Sequence, residues 1–134
     1  MDTKVDKKKI LIVDDDRSFV RALALHLKGR GFEAIVAIDG VTAVTVAREQ
    51  NPDLILLDVG LPAGDGFTVL SRLTLLEGTM LKPVIIVSCM DLDDLRQRAL
   101  DAGIGVAAFF QKPLNLKNLD AAINDILQTP SMEI

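Results

Sequence analysis

Charged and hydroxyl side chains stand at the ends of four of the five short apolar runs in this sequence. Three aspartates at 14–16 follow the first run, Asp58 the third, Ser88 the fourth, and Lys112 closes the fifth. Two carboxylates about 4 Å apart repel by roughly 1 kcal/mol in water and roughly 4 kcal/mol at an effective dielectric constant of 20. Several carboxylates gathered in one crevice therefore require a cation.

The types of these residues indicate which cation and which reaction to expect. Oxygen ligands without a nearby histidine or thiolate favour Mg²⁺ or a similar hard divalent ion. Mg²⁺ accompanies phosphoryl transfer, in which an aspartate can accept the phosphoryl group while a lysine and a hydroxyl share its charge. Asp58 is the candidate nucleophile for such a reaction.

The apolar runs also predict the elements that must position these residues. They occupy 10–13, 34–38, 54–57, 84–87 and 107–110, without polar alternation. Such runs are typical of strands covered on both faces, as in a parallel sheet. Segments with helical spacing follow each run, so strand and helix alternate five times. With right-handed crossovers, the pattern predicts an α/β fold with an open, doubly wound parallel sheet.

Ligands of such sheets bind beyond the carboxyl ends of the strands, where the candidate residues are expected to meet. Residues that commonly begin and end helices support this assignment. Gly31 and Gly103 follow helical segments, and Asp91 or Asp93 can cap the fourth helix. Asp16 is expected to cap the first helix or to lie at the surface rather than to contact the metal.

Length and composition limit the other possibilities. A chain of 134 residues fits one domain, expected at 9–128, with loose ends at 1–8 and 129–134. The net charge of −4 argues against direct nucleic-acid binding. No apolar run approaches the roughly 20 residues that a membrane span needs, so a cytoplasmic protein without membrane contact is expected.

The two residues that most often mark a metal or redox site each occur once. A single cysteine, Cys89, and a single histidine, His26, exclude an internal disulfide and a zinc cluster. His26 lies off the apolar stripe of its helix and has no carboxylate or cysteine partner at metal-ligand spacing, so it is expected at the surface. Cys89 is expected to be a small, buried core residue.

Five sequence pieces together resemble the receiver domain of bacterial two-component response regulators. They are the aspartate-rich end of the first run at 10–16, the segment 52–58, Leu61-Pro62 with Asp65-Gly66, the segment 84–88, and Lys112-Pro113. The resemblance covers nearly the whole chain. It implies a flavodoxin-like (βα)5 fold with strand order 2-1-3-4-5.

The resemblance also implies roles for the acidic residues. Asp58 would be the phosphoacceptor, and Asp15 and Asp58 would bind Mg²⁺ directly. Asp14 would bind the ion largely through water, and the backbone carbonyl of Gly60 would supply a further ligand.

Further implied roles concern the phosphoryl group and the response to it. Lys112 would pair with Asp58 and then with the phosphoryl oxygens, while Ser88 would donate its hydroxyl to them. Phe109 stands at the position of the rotating aromatic switch residue, and the peptide bond from Lys112 to Pro113 would be cis.

The sequence departs from the family pattern at a few positions. Ser88 replaces the commoner threonine, Phe109 replaces the commoner tyrosine, and Cys89 is slightly larger than the usual residue there. The stretches 77–83 and 102–108 are slightly longer than usual, which bears on the face of the fourth helix.

The expected function is that of a phosphoacceptor signalling module. Such a module assists its own phosphorylation and autodephosphorylation but is not a conventional turnover enzyme. Its partners would be a sensor histidine kinase or phosphotransfer protein, and a downstream protein target or an output domain outside this chain. The alternative is a Mg²⁺-dependent aspartyl-phosphate hydrolase of small phosphate esters. Gly60 stands where haloacid-dehalogenase-type phosphatases carry a second aspartate, which disfavours that alternative. No effector domain follows Gln128, so a single-domain regulator and a piece of a longer one both remain open.

Overall fold

A computed structural model describes residues 7–60, 66–75 and 82–127, which form five strands and five helices in strict alternation. The elements in chain order are β1 (Lys9–Val13), α1 (Arg17–Gly29), β2 (Glu33–Ala37), α2 (Gly40–Gln50), β3 (Leu54–Leu57), α3 (Gly66–Leu75), β4 (Val84–Ser88), α4 (Leu92–Ala102), β5 (Ala108–Gln111) and α5 (Leu116–Leu127). The predicted strand bounds agree with these to within one residue.

The five strands form one parallel sheet in the order β2-β1-β3-β4-β5. This confirms the α/β, flavodoxin-like fold and its 2-1-3-4-5 order. In the sheet register, Val13 at the end of β1 is level with Ala37 of β2 and with Leu57 of β3. The carboxyl ends of the central strands therefore meet at one edge, where the candidate residues begin.

Both faces of the three central strands β1, β3 and β4 are buried, which explains the lack of polar alternation in their apolar runs. The edge strands β2 and β5 are only partly buried, although their runs predicted cover on both faces. One face packs against α2, α3 and α4 through buried side chains that include Leu11, Val13, Ala43, Ala47, Leu57, Leu70, Leu95 and Ala99. The other packs against α1 and α5 through a second set, which includes Ile10, Ile12, Val20, Leu23, Leu27, Leu56, Leu119 and Ile123. Full burial of a large aliphatic side chain contributes about 1.5–3 kcal/mol, so these two layers hold the sheet edge in place.

Aspartates begin two of the helices as the sequence predicts. The Asp16 carboxylate accepts a hydrogen bond of 3.1 Å from the Phe19 N–H at the start of α1. Asp91 caps α4 by accepting a hydrogen bond of 3.0 Å from the Asp93 N–H, so Asp91 and not Asp93 is the cap. Gly103 ends α4 with a φ of 69°, a left-handed conformation that glycine adopts without strain.

Two sequence expectations are wrong. His26 lies on α1 and is half-buried, with 24% of its side chain exposed, and its Nε2 is 2.9 Å from Oδ1 of Asp120 on α5. Its carboxylate partner lies on α5, 94 positions further along the chain, and so outside the local spacing that the sequence analysis considered. Cys89 is exposed and not in the core, since it follows the last residue of β4 and so lies beyond the covered strand.

Some predicted features fall on parts of the chain outside the described residues. These are the motif residues at 61–65, most of the lengthened stretch 77–83, and the ends at 1–6 and 128–134. Within the described ranges, no helix combines the length and the apolar character needed to cross a bilayer.

Candidate functional site

Asp14 is fixed at the sheet edge by its backbone and by its side chain. Its N–H donates a hydrogen bond of 3.1 Å to the Ala37 carbonyl, which continues the pairing of β1 with β2. Its Oδ1 accepts a hydrogen bond of 2.9 Å from the Asp16 N–H. Only 2% of the residue is exposed, so this carboxylate is largely removed from water.

Asp58 is held in the same way from the neighbouring strand. Its N–H donates to the Val13 carbonyl at 2.9 Å, and its Oδ1 accepts a hydrogen bond of 2.8 Å from the Gly60 N–H. A Cβ atom at position 60 would lie 3.3 Å from Asp58 Oδ1 and 3.9 Å from Ser88 Oγ. Glycine at this position therefore leaves room between the Asp58 carboxylate and the Ser88 hydroxyl.

The structure brings together the three carboxylates that the sequence singled out for a cation. Asp14, Asp15 and Asp58 each offer an oxygen atom, and these atoms lie within 4.8 Å of one another. Asp15 is exposed, whereas the other two are buried. A set made only of carboxylate oxygens, open to solvent on one side, suits a hard divalent ion that keeps some of its waters.

Lys112 provides the positive charge that faces this cluster. Its backbone N–H donates to the Ser88 carbonyl at 2.9 Å, next to the end of β4. Its Nζ lies 2.7 Å from Asp14 Oδ2 and 3.3 Å from Asp58 Oδ2, and 14% of the side chain is exposed. The pairing with Asp58 was expected, but the shorter contact is with Asp14. The peptide bond from Lys112 to Pro113 is cis.

Burial and ion pairing shift the pKa values of Asp14 and Lys112. Burial raises the pKa of Asp14 above its ordinary value of 3.8, although the hydrogen bonds from Lys112 and from the Asp16 N–H oppose the change. Burial also disfavours the charged form of Lys112, but its contacts with Asp14 and Asp58 outweigh that effect and raise its pKa above 10.5. The lysine therefore stays protonated at neutral pH.

Ser88 lies at the end of β4, and Phe109 lies on β5, the strand that Lys112 follows. Ser88 is the buried last residue of β4, and its Oγ accepts a hydrogen bond of 3.3 Å from the Met90 N–H. Phe109 is half-buried on β5, level with Ile86 of β4. The guanidinium carbon of Arg96, on α4, lies 5.8 Å from the centre of the Phe109 ring.

The sequence reasoning missed one neighbour of the site. Phe19 of α1 was counted only as part of an apolar helix stripe, yet the Lys112 Nζ lies 4.4 Å from the centre of its ring. The available signal was its place three residues after the cap Asp16, which puts it on the first turn of the helix beside the site.

Two comparisons of sequence place the chain among known proteins. A family model for the response regulator receiver domain matches residues 10–124. The transcriptional regulatory protein PrrA of Mycobacterium tuberculosis is 34% identical over 128 residues, which cover 96% of this chain and 53% of PrrA. The chain spans about half the length of this and similar curated relatives.

Solved structures agree with these matches. The receiver domain of a sensor histidine kinase from Pseudomonas aeruginosa superimposes with a TM-score of 0.82 at 25% identity, covering 92% of this chain and 100% of that domain. That structure holds a magnesium ion in its active-site cleft. The beryllofluoride-activated receiver domain of Klebsiella pneumoniae RstA gives a TM-score of 0.80 at 27% identity, covering 91% and 100%. The chain therefore belongs to the response regulator receiver domains, the phosphoacceptor signalling modules of two-component systems.

Proposed function

We propose that this receiver domain accepts a phosphoryl group on Asp58 from a sensor histidine kinase or a phosphotransfer protein, in a reaction that requires Mg²⁺. The supporting observation is the meeting of three carboxylates and one nearly buried lysine at a single edge of the sheet. This arrangement combines a cation site, a nucleophile and a fixed positive charge, which are the elements that phosphoryl transfer needs.

Asp58 is the best nucleophile of the three carboxylates. Asp14 makes the shorter contact with Lys112 and also accepts the Asp16 N–H. Asp58 likewise has both oxygens in contact, one with the Gly60 N–H and one with Lys112. Asp15 is exposed, outside the buried part of the cluster. Asp58 is slightly more open than Asp14 and makes the longer contact with Lys112, so its Oδ2 is the least restrained buried carboxylate oxygen.

The donor set fits Mg²⁺. Asp15 and Asp58 would bind the ion directly, Asp14 largely through water, and the Gly60 carbonyl would add a further ligand. When bound, the ion neutralises the carboxylates and takes up charge that develops on the phosphoryl oxygens.

The chain's own residues account for the remaining chemistry. An Asp58 oxygen forms a bond to phosphorus while the phosphorus–nitrogen bond of a donor phosphohistidine breaks. The Lys112 ammonium, already beside Asp58, neutralises a phosphoryl oxygen, and the Ser88 hydroxyl donates a hydrogen bond to another. Water later attacks the same phosphorus, the bond from the Asp58 oxygen to phosphorus breaks, and inorganic phosphate leaves while Asp58 returns to its free form. The site residues that hold the phosphoryl group thus also assist dephosphorylation.

Signal output follows from the change at Asp58. Ser88 moves toward the phosphoryl group, and Phe109 on the neighbouring strand turns inward into the space that Ser88 leaves. The partner of the phosphorylated form is a downstream protein or an output domain outside this chain. The net charge of −4 favours a protein partner over direct binding to nucleic acid.

Radiolabelled or mass-detected phosphorylation tests the proposal. Acetyl phosphate with Mg²⁺ should add one phosphoryl group to the protein, and Asp58→Asn should remove the label. Asp53→Asn is the matched control, because Asp53 accepts a hydrogen bond from the Lys9 N–H at the opposite end of the sheet. Full labelling of Asp58→Asn would refute the assignment of the phosphoacceptor. Sustained turnover of an aryl phosphate ester would instead support the hydrolase alternative.

A further inference from the structure

The Lys112 ammonium has a third neighbour besides the two carboxylates. The centre of the Phe19 ring lies 4.4 Å from Lys112 Nζ, which is well inside the roughly 6 Å range of cation–π attraction. The ammonium therefore has Asp14 and Asp58 as acceptors and an aromatic ring as an additional neighbour.

The position of Phe19 is itself tied to the acidic cluster. Its N–H donates a hydrogen bond to the Asp16 carboxylate, and the Asp16 N–H in turn donates to Asp14 Oδ1. Asp14 Oδ2 contacts Lys112, and Lys112 contacts the Phe19 ring. These contacts link the four residues in a ring. The Phe19 side chain on α1 and the Asp14 carboxylate after β1 therefore contact the same ammonium.

An apolar cavity of about 270 Å³ lies beside Lys112 and gives its side chain room to move. The cavity is lined by the Lys112 stem and by Phe19, Leu23, Leu114 and Leu116. A lysine side chain carries about 2 kcal/mol of rotamer entropy, and here it has space to move into. Without the ring, the stem could enter this space and draw the ammonium away from the carboxylates.

We propose that Phe19 is a positioning residue for Lys112, holding the ammonium against the carboxylates through the face of its ring. The consequence for phosphorylation rests on the proposed function of Asp58, whereas the contact between the two side chains does not. A ring that only filled space would be replaceable by any apolar side chain of similar size. The proposal instead requires an aromatic face.

The contact is tested first in the metal-free, unphosphorylated protein. Protons above an aromatic face are shielded, so we expect upfield NMR shifts for the ε-methylene of Lys112. Phe19→Leu, which keeps an apolar side chain, should abolish this shielding, and Phe19→Tyr should retain it. Lys112 shifts that are identical in the wild type and in Phe19→Leu would overturn the proposal.

The consequence for the reaction is tested by the rate of labelling with acetyl phosphate at saturating Mg²⁺. Because Lys112 acts on the phosphoryl group during transfer, Phe19→Leu should lower the limiting rate about two- to fivefold, the equivalent of a cation–π contact of 0.5–1 kcal/mol. Its effect on the acetyl phosphate concentration at half-maximal rate should be small. Phe19→Tyr should restore the rate.

Phe32→Leu is the matched control, since Phe32 is also half-buried and packs against the same apolar layer after the end of α1. It should leave the limiting rate unchanged. Equal losses in Phe19→Leu and Phe32→Leu, or a failure of Phe19→Tyr to restore the rate, would reduce Phe19 to a packing residue. If the wild type itself takes no label, the proposed function fails, while the NMR result still decides the contact.

Discussion

The Lys112 ammonium makes its shortest contact, 2.7 Å, with Asp14, the buried carboxylate that is not the proposed phosphoacceptor. Asp58 lies 3.3 Å from the same ammonium. In the metal-free protein, the lysine is thus shared between two acids, and the tighter pairing leaves Asp58 the more available of the two. This sharing lets the Lys112 ammonium stabilise the acidic cluster and still remain beside Asp58.

The first prediction is that Asp14→Asn raises the stability of the metal-free protein at neutral pH. Burial raises the pKa of Asp14, so its carboxyl is harder to ionise in the folded than in the unfolded state. The folded state then binds more protons, and its stability falls as pH rises through the raised folded pKa. Asparagine removes the cost of burying this charge. Its single carbonyl oxygen can accept from Lys112 or from the Asp16 N–H but not from both, and we expect the removed burial cost to exceed the loss of that one acceptor.

Urea unfolding in the presence of a chelator checks this prediction. The midpoint for Asp14→Asn should exceed that of the wild type at pH 7, and the difference should shrink as the pH falls below 3.8, where the carboxyl is protonated in both states. A lower midpoint at pH 7 would mean that the charge pair with Lys112 outweighs the cost of burial.

The second prediction concerns the metal. Mg²⁺ should raise the free energy of unfolding by about 2.7 kcal/mol at a concentration a hundred times its dissociation constant. Asp15→Ala should lose most of this increase, because the exposed Asp15 carboxylate completes the oxygen cluster with Asp14 and Asp58. Thermal melts with and without Mg²⁺ measure the effect.

Asp101→Ala provides the control for that experiment. Asp101 is an exposed acid of α4 whose carboxylate accepts a hydrogen bond from Gln97, outside the cluster. It should keep the full Mg²⁺ response. An unchanged response in Asp15→Ala would place the bound ion elsewhere.

Local sequence signals were enough to predict the alternation of strands and helices and the parallel sheet, because each signal depends on neighbouring residues. The strand order 2-1-3-4-5 came instead from the resemblance to the receiver family. Unbroken apolar runs marked the strands, the central three of which are buried on both faces, and Asp16 and Asp91 marked helix starts within a few positions of themselves. The meeting of Asp14, Asp58 and Lys112 followed from a general property of parallel sheets, whose carboxyl ends share an edge.

Local sequence signals could not predict which side chains of different helices and strands contact each other. His26 and Asp120 lie on different helices and meet only because both pack on one face of the sheet. Whether the Lys112 ammonium lies closer to Asp14 or to Asp58 depends on fractions of an ångström, and so does its distance from the Phe19 ring. Cys89 was misplaced by a single residue, since burial ends at Ser88.

The third prediction is that His26 and Asp120 couple α1 to α5. Their hydrogen bond of 2.9 Å is mostly shielded from water, with side-chain exposures of 24% and 15%. A double-mutant cycle with His26→Ala and Asp120→Ala should give a coupling energy of about 1 kcal/mol. Denaturant unfolding of the four proteins supplies the numbers.

Arg30 offers an internal comparison for that cycle. It lies 3.7 Å from the same Asp120 carboxylate but is 53% exposed, so its coupling should be smaller, within the range of about 0–1 kcal/mol found for surface pairs. A larger coupling for Arg30 than for His26 would show that the arginine, and not the histidine, joins the two helices.

The last prediction concerns how phosphorylation at Asp58 reaches the fourth and fifth helices. The phosphoryl group adds about −1.5 to −2 charges and strong acceptor oxygens. The Ser88 Oγ accepts a hydrogen bond from the Met90 N–H, and the Ser88 hydroxyl gains a hydrogen bond to the phosphoryl oxygens by moving toward them. Phe109, on the strand paired with β4, can then turn inward and give up the Arg96 guanidinium above its ring. The two conformations need differ by only a few kcal/mol for the phosphoryl group to shift the population between them.

NMR shifts with and without beryllofluoride, which mimics the phosphoryl group, measure this coupling. In the wild type, changes should concentrate at Asp58, at Phe109 and across residues 91–128. Ser88→Ala should still bind beryllofluoride at Asp58 but lose most of the response at Phe109. Alanine at position 88 has no hydroxyl that could move toward the phosphoryl mimic, so the step that couples Asp58 to Phe109 is missing. Ser18→Ala, at an exposed position of α1, should behave as the wild type. A full response at Phe109 in Ser88→Ala would show that the signal crosses from β4 to β5 without the hydroxyl.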